Sequence, residues 1–364
     1  MAKRKSKIIV SNDVGKLELS QICDILNKTT GRNVANILDD EDTIKEFIPT
    51  GSKWLDRIIG TTKVGGIPLG RMVEIAGFEA TGKSLLATII AGNAQKMENP
   101  MQVVYFDAER TLDGIFAQRA NVGGIVKVEP STVEDIMEKI ETILGAGARR
   151  ILFIWDSLAA TPTKSELESD FNPQSTIAIK ARVLSTGFPK LTSLLKDTDS
   201  TLLVINQLKT NITTNFGEQF TEPYMTPGGK SPLYFYSLRI WLTKPKSKAS
   251  FIENDKGDRI GSTVKVLLKK SKIGGSEGRR CTLQLLWGGS SVGICDKESW
   301  LDAIESSESI ENNRGRYTLA YENGTTESFT KLNWIEKLKE VKFENRVLQL
   351  LDQVLLYNYD KKDD

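Results

Sequence analysis

The middle of the chain alternates short apolar runs with longer segments that repeat with a helical period. The apolar runs have the length of strands buried on both faces, and the segments between them are long enough for crossover helices. This alternation predicts an α/β fold with a mainly parallel central sheet flanked by helices, in which the last strands can run antiparallel. The predicted strands are 72–76, 102–106, 150–156, 200–206, 238–242, 264–269 and 282–287.

The two ends of the chain lack this alternation. Residues 1–48 hold one amphipathic pattern, at 17–26, and too few apolar residues to bury a core alone. Residues 290–364 predict a small C-terminal lobe that is helical or α/β. Its helix-like periods are 300–304, 332–341 and 343–356. We therefore divide the chain into an N-terminal segment at 1–48, a core at 49–289 and a lobe at 290–364.

Composition narrows the class of protein. With 39% hydrophobic and 26% charged residues, the chain is predicted to be soluble and globular rather than disordered. No apolar run approaches the roughly 18 residues that span a bilayer, so no membrane segment is expected. The 49 basic and 47 acidic residues leave a net charge of +2, so nucleic-acid binding would need local basic patches.

The chain contains no histidine, which excludes Ser-His-Asp and Cys-His nucleophilic sites and imidazole-ligated metal centres. Catalysis must therefore use carboxylates, lysine, arginine, serine and the backbone. The three cysteines, Cys23, Cys281 and Cys295, are far apart and form no C-x-x-C motif. This usage is typical of reduced thiols in a cytosolic protein.

One segment matches the phosphate-binding pattern G-x-x-x-x-G-K-[ST], between a predicted strand and a predicted helix. Its residues are Gly77, Phe78, Glu79, Ala80, Thr81, Gly82, Lys83 and Ser84. The glycines let consecutive backbone N–H groups and the helix N-terminus point at phosphate oxygens. Lys83 adds a charge for the β- and γ-phosphates, and Ser84 offers a hydroxyl to Mg²⁺. The segment predicts a site for ATP and Mg²⁺.

Acidic residues are predicted at the same edge of the sheet. Asp156 ends an apolar strand, at the edge where open α/β sheets bind ligands, and suits the acid that holds Mg²⁺. A second strand delivers Asp107 and Glu109 to that edge. Either carboxylate could polarise the attacking water, and spacing alone leaves the choice open.

The chain resembles RecA-type homologous recombinases over about residues 48–289, with motifs in the family's order. The matching segments flank and follow the phosphate-binding pattern: 48–56, 65–75, 107–113, 155–162, 204–207 and 270–273. The resemblance implies a RecA-like P-loop ATPase core, with residues 1–48 serving oligomerisation. The C-terminal block matches only loosely and the acidic tail is short, departures that would suit a phage or other mobile-element origin.

The resemblance also implies roles for residues around the nucleotide. Glu109 falls at the family's water-activating glutamate and is therefore preferred over Asp107. Phe116 and Asp113 fall where the family contacts adenine, by stacking and at its edge. Gln207 corresponds to the residue that senses the γ-phosphate and reports it to DNA.

Two lysines end a later strand. Lys270 and Lys272 are two residues apart, so they share one face of the strand. The resemblance implies that they reach across a filament interface to the neighbour's γ-phosphate and act like arginine fingers.

Two polar stretches, at about 161–178 and 209–229, occupy the positions of the family's DNA-binding loops. Hydroxyls, amides and glycine N–H groups can contact phosphates without reading sequence. The residues that best match DNA-binding positions are Arg182, Lys209, Phe216, Gly228 and Gly229. Candidates for a second, duplex-binding surface are Lys244, Lys246, Arg279 and Arg280.

The resemblance implies an ATP-dependent recombinase that forms helical filaments on single-stranded DNA and exchanges strands with homologous duplex DNA in recombination and repair. Expected partners are DNA, further copies of the chain, and single-strand-binding and mediator proteins, in the cytoplasm of a cell or of a phage host. A hexameric helicase or regulatory ATPase on the same core is the alternative. A scaffold with a vestigial P-loop would need damage at Lys83, Ser84, Glu109 or Asp156, and all four are present.

Overall fold

The computed structural model describes residues 17–30, 35, 44, 46–61, 64–168, 178–211, 223–245, 250–274, 277–289 and 292–356. The chain divides into a short N-terminal unit, residues 1–45, and a large unit, residues 46–364. The N-terminal unit contains helix α1 (Leu19–Thr30), close to the predicted 17–26. Among the described residues, no helix has the length and apolarity to cross a bilayer.

The large unit contains the remaining elements. Its helices are α2 (Lys53–Ile59), α3 (Lys83–Ala94), α4 (Gly114–Arg119), α5 (Val133–Gly145), α6 (Lys164–Glu168), α7 (Ile179–Asp197), α8 (Trp300–Ile304), α9 (Trp334–Lys337) and α10 (Val341–Leu355). Its core strands are β1 (Phe47–Ile48), β2 (Ile67–Pro68), β3 (Met72–Gly77), β4 (Gln102–Asp107), β5 (Val126–Val128), β6 (Ile151–Asp156), β7 (Thr201–Gln207), β8 (Lys209–Thr210), β9 (Tyr224–Met225), β10 (Tyr236–Thr243), β11 (Phe251–Glu253), β12 (Arg259–Ser271), β13 (Arg280–Leu286) and β14 (Gly293–Cys295).

One ten-stranded sheet organises the large unit, in the order β14-β13-β12-β10-β3-β7-β6-β4-β5, with β11 beside β12. Strands β10 through β5 pair in parallel, whereas β12, β13 and β14 pair antiparallel. This confirms the predicted α/β fold and its antiparallel last strands. The central strands are buried on both faces, under α3 on one side and α5 and α7 on the other, which explains their continuous apolar sequences.

The C-terminal segment contains a small antiparallel sheet that the helical periods did not predict. Its strands are β15 (Ile310–Asn313), β16 (Arg316–Ala320) and β17 (Thr326–Thr330). Three of the four residues in β15 are polar and exposed, so little apolar alternation marks it. Phe329 and Phe343 pack at a ring-centroid distance of 5.3 Å and join this sheet to α10. The segment is therefore α/β, and an all-helical interpretation is wrong.

The C-terminal helix is anchored to the core by two arginines. Arg57 of α2 pairs with Asp352 of α10 at 2.7 Å. Arg279 donates to the carbonyls of Ile58 and Leu355. Because these contacts occupy its guanidinium, Arg279 has a structural role that its selection as a DNA-binding candidate did not anticipate.

A buried carboxyl lies where α2 begins. Asp56 Oδ1 accepts hydrogen bonds from the Thr50 amide (2.9 Å) and hydroxyl (2.7 Å). Asp296 lies on the other side of this turn and accepts from Ser52 Oγ at 2.6 Å. Burial raises the pKa of Asp56 to about 7, and Asp296 adds to that shift.

Asp56 should make stability fall as pH rises. Between its ordinary pKa of 3.8 and a folded-state pKa of about 7, the folded protein keeps a proton that the unfolded chain has lost. We expect the free energy of unfolding to fall by up to about 4 kcal/mol across this window, relative to Asp56→Asn. Urea unfolding of both proteins at pH 4, 6 and 8 measures this difference, and parallel pH profiles would contradict it.

Candidate active site

The predicted phosphate loop lies between a buried strand and a helix N-terminus. Strand β3 ends at Gly77, and α3 begins at Lys83. Ala80 and Gly82 have φ values of 56° and 82°, which wind the loop, and a Cβ at Gly82 would collide with Leu285. Backbone N–H groups in such a loop, at the positive end of the helix dipole, form a concavity suited to phosphate.

The Lys83 ammonium is held within this loop and is surrounded by carboxylates. Lys83 Nζ donates to the carbonyl of Phe78 at 2.9 Å. Burial lowers the pKa of Lys83, while the negative charges of Asp156, Glu109 and Glu79 oppose that shift. The predicted lysine and the predicted acids are therefore close enough to interact.

Oxygen ligands suitable for Mg²⁺ meet at the start of α3. The Ser84 hydroxyl hydrogen-bonds the carboxylate of Asp156, which also accepts from the Tyr105 hydroxyl at 2.7 Å. Burial raises the pKa of Asp156 and these two hydrogen bonds oppose the rise. Among the described residues, no group of three or more cysteine, aspartate or glutamate side chains is arranged to hold a metal ion. The Ser84 hydroxyl and the Asp156 carboxylate fit Mg²⁺, which commonly binds one or two protein oxygens together with substrate phosphates.

The structure gives different surroundings to the two carboxylates at the end of β4 and just after it, Asp107 and Glu109. Asp107 is buried, accepts from the Thr111 and Leu112 amides, and pairs with Lys127 at 3.0 Å. Burial alone would raise the pKa of Asp107, but these hydrogen bonds outweigh it and lower that pKa. Glu109 is exposed on the turn that Asp107 holds, and its Oε1 accepts from Ser157 Oγ at 2.5 Å. The geometry favours Glu109 as the carboxylate that can reach a water.

The predicted adenine contacts share one helical turn. Asp113 caps α4, since its Oδ1 accepts from the Phe116 amide at 2.8 Å. Phe116 is partly buried against the core. Both residues are thus held at the start of α4, the helix that follows β4, and their contact with adenine stays a prediction.

Strand β7 lies beside β3 and leads from the start of the phosphate loop into the second polar stretch. Gln207 pairs in register with Gly77, and the strand leads directly to β8 and its partner β9. At the far end of this stretch, Gly228 and Gly229 have φ values of 106° and 82°. A Cβ at Gly229 would lie 2.8 Å from Ala181 Cβ on α7, so the chain needs glycine there. Lys209 in β8 and Arg182 in α7 are both exposed.

The two strand-end lysines lie back along β10 from the phosphate loop, toward the start of that strand. On β10, Lys270 is opposite Arg239 and the Lys272 amide bonds the Ser237 carbonyl, whereas Gly77 is opposite Leu242. Both ammonium groups donate to successive carbonyls, those of Leu233 and Tyr234. The prediction that they share a face agrees with this arrangement.

Several predicted positions fall outside the described residues. These are Phe216, Lys246, and the central parts of both polar stretches, 169–177 and 212–222. Of the remaining duplex-binding candidates, Arg280 is exposed and the Lys244 ammonium lies 3.6 Å from the Phe251 ring centroid.

A buried ion pair that the sequence patterns did not reveal lies beside the site. Arg239 Nε donates to Glu74 Oε2 at 2.6 Å, with side chains 8% and 0% exposed. Glu74 Oε1 also accepts from Asn206 Nδ2 at 3.0 Å. The sequence signal for this pair was a single charged residue within each of two largely apolar strands, Glu74 in β3 and Arg239 in β10. A buried charge requires a partner of opposite sign, so the two residues could have been expected to pair.

Comparison with known proteins identifies the family. The family model described as the RecA N-terminal domain matches residues 17–291. The protein RecA of Mannheimia haemolytica is 32% identical over 251 residues, which is 68% of this chain and 64% of that protein. The RecA of Chlamydia trachomatis serovar L2 is 36% identical over 228 residues, 62% of this chain and 60% of that protein. The matches span less than two thirds of these relatives' length. The extent of the domain match, together with the phosphate loop and its carboxylates, shows that the chain belongs to the RecA family.

Proposed function

We propose that the protein is an ATP-dependent recombinase that forms helical filaments on single-stranded DNA and catalyses homologous pairing and strand exchange. The observation that carries this proposal is the register of Gln207 with Gly77. It puts the start of the phosphate loop beside the strand that leads into the second polar stretch. A bound triphosphate could therefore control a DNA-binding loop without a long relay.

ATP hydrolysis in this proposal uses the residues at the sheet edge. The phosphate-loop amides and Lys83 bind the phosphates, and Ser84 and Asp156 would hold Mg²⁺, which supplies neutralising charge to the phosphate oxygens. Glu109 orients a water and accepts its proton as the water oxygen attacks the γ-phosphorus and the bond to the β-phosphate oxygen breaks. Asp107 holds the turn that carries Glu109.

In this proposal, assembly of protomers brings further positive charge to the triphosphate. Since Lys270 and Lys272 lie away from the phosphate loop of their own chain, we propose that they serve the site of the next protomer. A head-to-tail contact of this kind does not close on itself unless the rotation forms a ring, so it can propagate a helix. Hydrolysis then depends on assembly and therefore on DNA.

DNA recognition in this proposal is independent of sequence. The stretches at 161–178 and 209–229, with Arg182, Lys209, Phe216, Gly228 and Gly229, would contact the phosphate backbone, and homology would be read by base pairing. Homologous duplex DNA is the second substrate. We also propose cytoplasmic action with single-strand-binding and mediator proteins.

Glu109→Gln should uncouple binding from turnover. Removing the proton acceptor is expected to lower DNA-stimulated kcat by about 10²–10⁴-fold. Affinity for a fluorescent ATP analogue should change little, because the amide keeps the shape of the side chain. Steady-state hydrolysis and nucleotide titration measure both quantities. Normal turnover in this variant would remove Glu109 from the mechanism.

Formation of joint molecules tests the proposed function. Labelled single-stranded DNA, ATP and Mg²⁺ should yield joint molecules with a homologous duplex and none with a heterologous duplex of equal length. Unwinding of a forked duplex without any need for homology would favour the helicase alternative instead.

A further inference from the structure

The phosphate loop touches the base of the second polar stretch through two aromatic rings. Phe78, inside the loop, meets Tyr224 of β9 edge-on, with ring centroids 4.9 Å apart and planes at 86°. Both rings pack on a small apolar cluster whose buried members are Ala76, Leu208 and Trp241. Because β9 pairs with β8, which begins two residues after Gln207, Tyr224 belongs to the stem from which the stretch at 212–222 emerges.

The stem is also fixed to β3 by polar contacts. Asn206 Nδ2 donates to Glu74 Oε1 (3.0 Å) and to the Pro227 carbonyl (3.1 Å). Arg239, paired with Glu74, donates to Thr226 Oγ1 at 3.2 Å. These contacts hold the residues that flank the β8–β9 stem, Asn206 before it and Thr226 and Pro227 after it, to one another and to the buried Glu74–Arg239 pair. The Phe78–Tyr224 contact joins the stem to the phosphate loop itself.

Phosphate binding changes the surroundings of Phe78. Its carbonyl accepts from Lys83 Nζ at 2.9 Å and from Thr81 Oγ1 at 2.8 Å. A charged phosphate oxygen is a stronger acceptor for an ammonium group than a neutral carbonyl. When Lys83 turns to a triphosphate, the Phe78 carbonyl loses one of its two donors and keeps Thr81. The residue whose hydrogen bonding would then change is the one whose ring touches Tyr224.

We propose that Phe78 and Tyr224 are positioning residues, and that their ring contact transmits triphosphate binding at the phosphate loop to the stem of the 209–229 stretch. This route runs beside Gln207 and rests on the proposed function, because it presupposes that this stretch binds single-stranded DNA. It requires an aromatic ring at position 224 but not its hydroxyl.

The ratio of single-stranded DNA affinities with and without nucleotide tests this route. Fluorescence anisotropy of a labelled poly(dT) oligonucleotide would be recorded for the full chain, without nucleotide and with saturating ATPγS and Mg²⁺. The variants are Phe78→Leu, Tyr224→Leu, their double combination, and Tyr224→Phe as the matched control. A titration with fluorescent ATP sets saturation for each variant, and thermal unfolding verifies its fold.

We expect each leucine variant to lower the affinity ratio by about three- to tenfold, the range for loss of one aromatic pair. The double variant should lose no more than the stronger single variant, because both remove the same contact. Tyr224→Phe should keep the wild-type ratio. Retention of the ratio by both leucine variants, or losses that multiply in the double variant, would overturn the inference while leaving the proposed function intact. A wild-type ratio of about one would overturn the proposed function, and the inference with it.

Discussion

Replacing Lys270 and Lys272 together with alanine is expected to lower DNA-stimulated ATP hydrolysis by about 10³-fold or more, the effect of losing charge supplied in trans to a phosphoryl-transfer site. Nucleotide binding by the free protomer should not change, because both lysines lie back along β10 from the position beside their own phosphate loop. Lys265→Ala, an exposed lysine on the same strand, is the control and should retain turnover.

A mixing experiment separates action in trans from action within one chain. The double lysine variant keeps an intact phosphate loop, and Lys83→Ala keeps intact strand-end lysines. A one-to-one mixture of the two inactive proteins should recover roughly one quarter of wild-type turnover, since about one interface in four would pair the two intact halves. No recovery from the mixture would show that the lysines do not act across an interface.

Lys83→Ala is expected to lower ATP turnover by at least about 10²–10³-fold, because a positioned positive charge on the transferring phosphate is lost. The substitution also removes the donor to the Phe78 carbonyl, which Thr81 continues to hold. Turnover by a coupled assay, with nucleotide titration beside it, distinguishes loss of catalysis from loss of binding. Lys96→Ala, an exposed lysine just beyond α3, should behave as wild type. Wild-type turnover in Lys83→Ala would contradict the site assignment.

The central sheet could be predicted because burial on both faces makes its strands continuous apolar runs. Strands β3, β4, β6, β7 and β10 each appeared as a largely apolar run, interrupted in β3 by Glu74 and in β10 by Arg239. The small sheet β15–β17 could not, since its strands face solvent on one side and carry many polar residues. A strand buried on one face is marked only by alternation, and strands as short as these contain too few apolar residues to show it.

The candidate site shows the same limit for side chains. The phosphate loop and Asp156 follow from spacing, but spacing could not separate Asp107 from Glu109. Their roles differ because the following turn uses one of the two carboxylates for its own hydrogen bonds. Only the fold reveals that this carboxylate is Asp107, which accepts from the Thr111 and Leu112 amides. The Phe78–Tyr224 contact joins residues far apart in sequence and carries no local signal at all.

Electron microscopy of the wild-type protein tests the central claim most directly. With single-stranded DNA, Mg²⁺ and ATPγS, we expect helical filaments that cover the DNA, and their absence when nucleotide is omitted. Particles that remain single with every nucleotide and oligonucleotide would contradict a nucleotide site completed by the neighbouring protomer, and closed rings would contradict the helical filament.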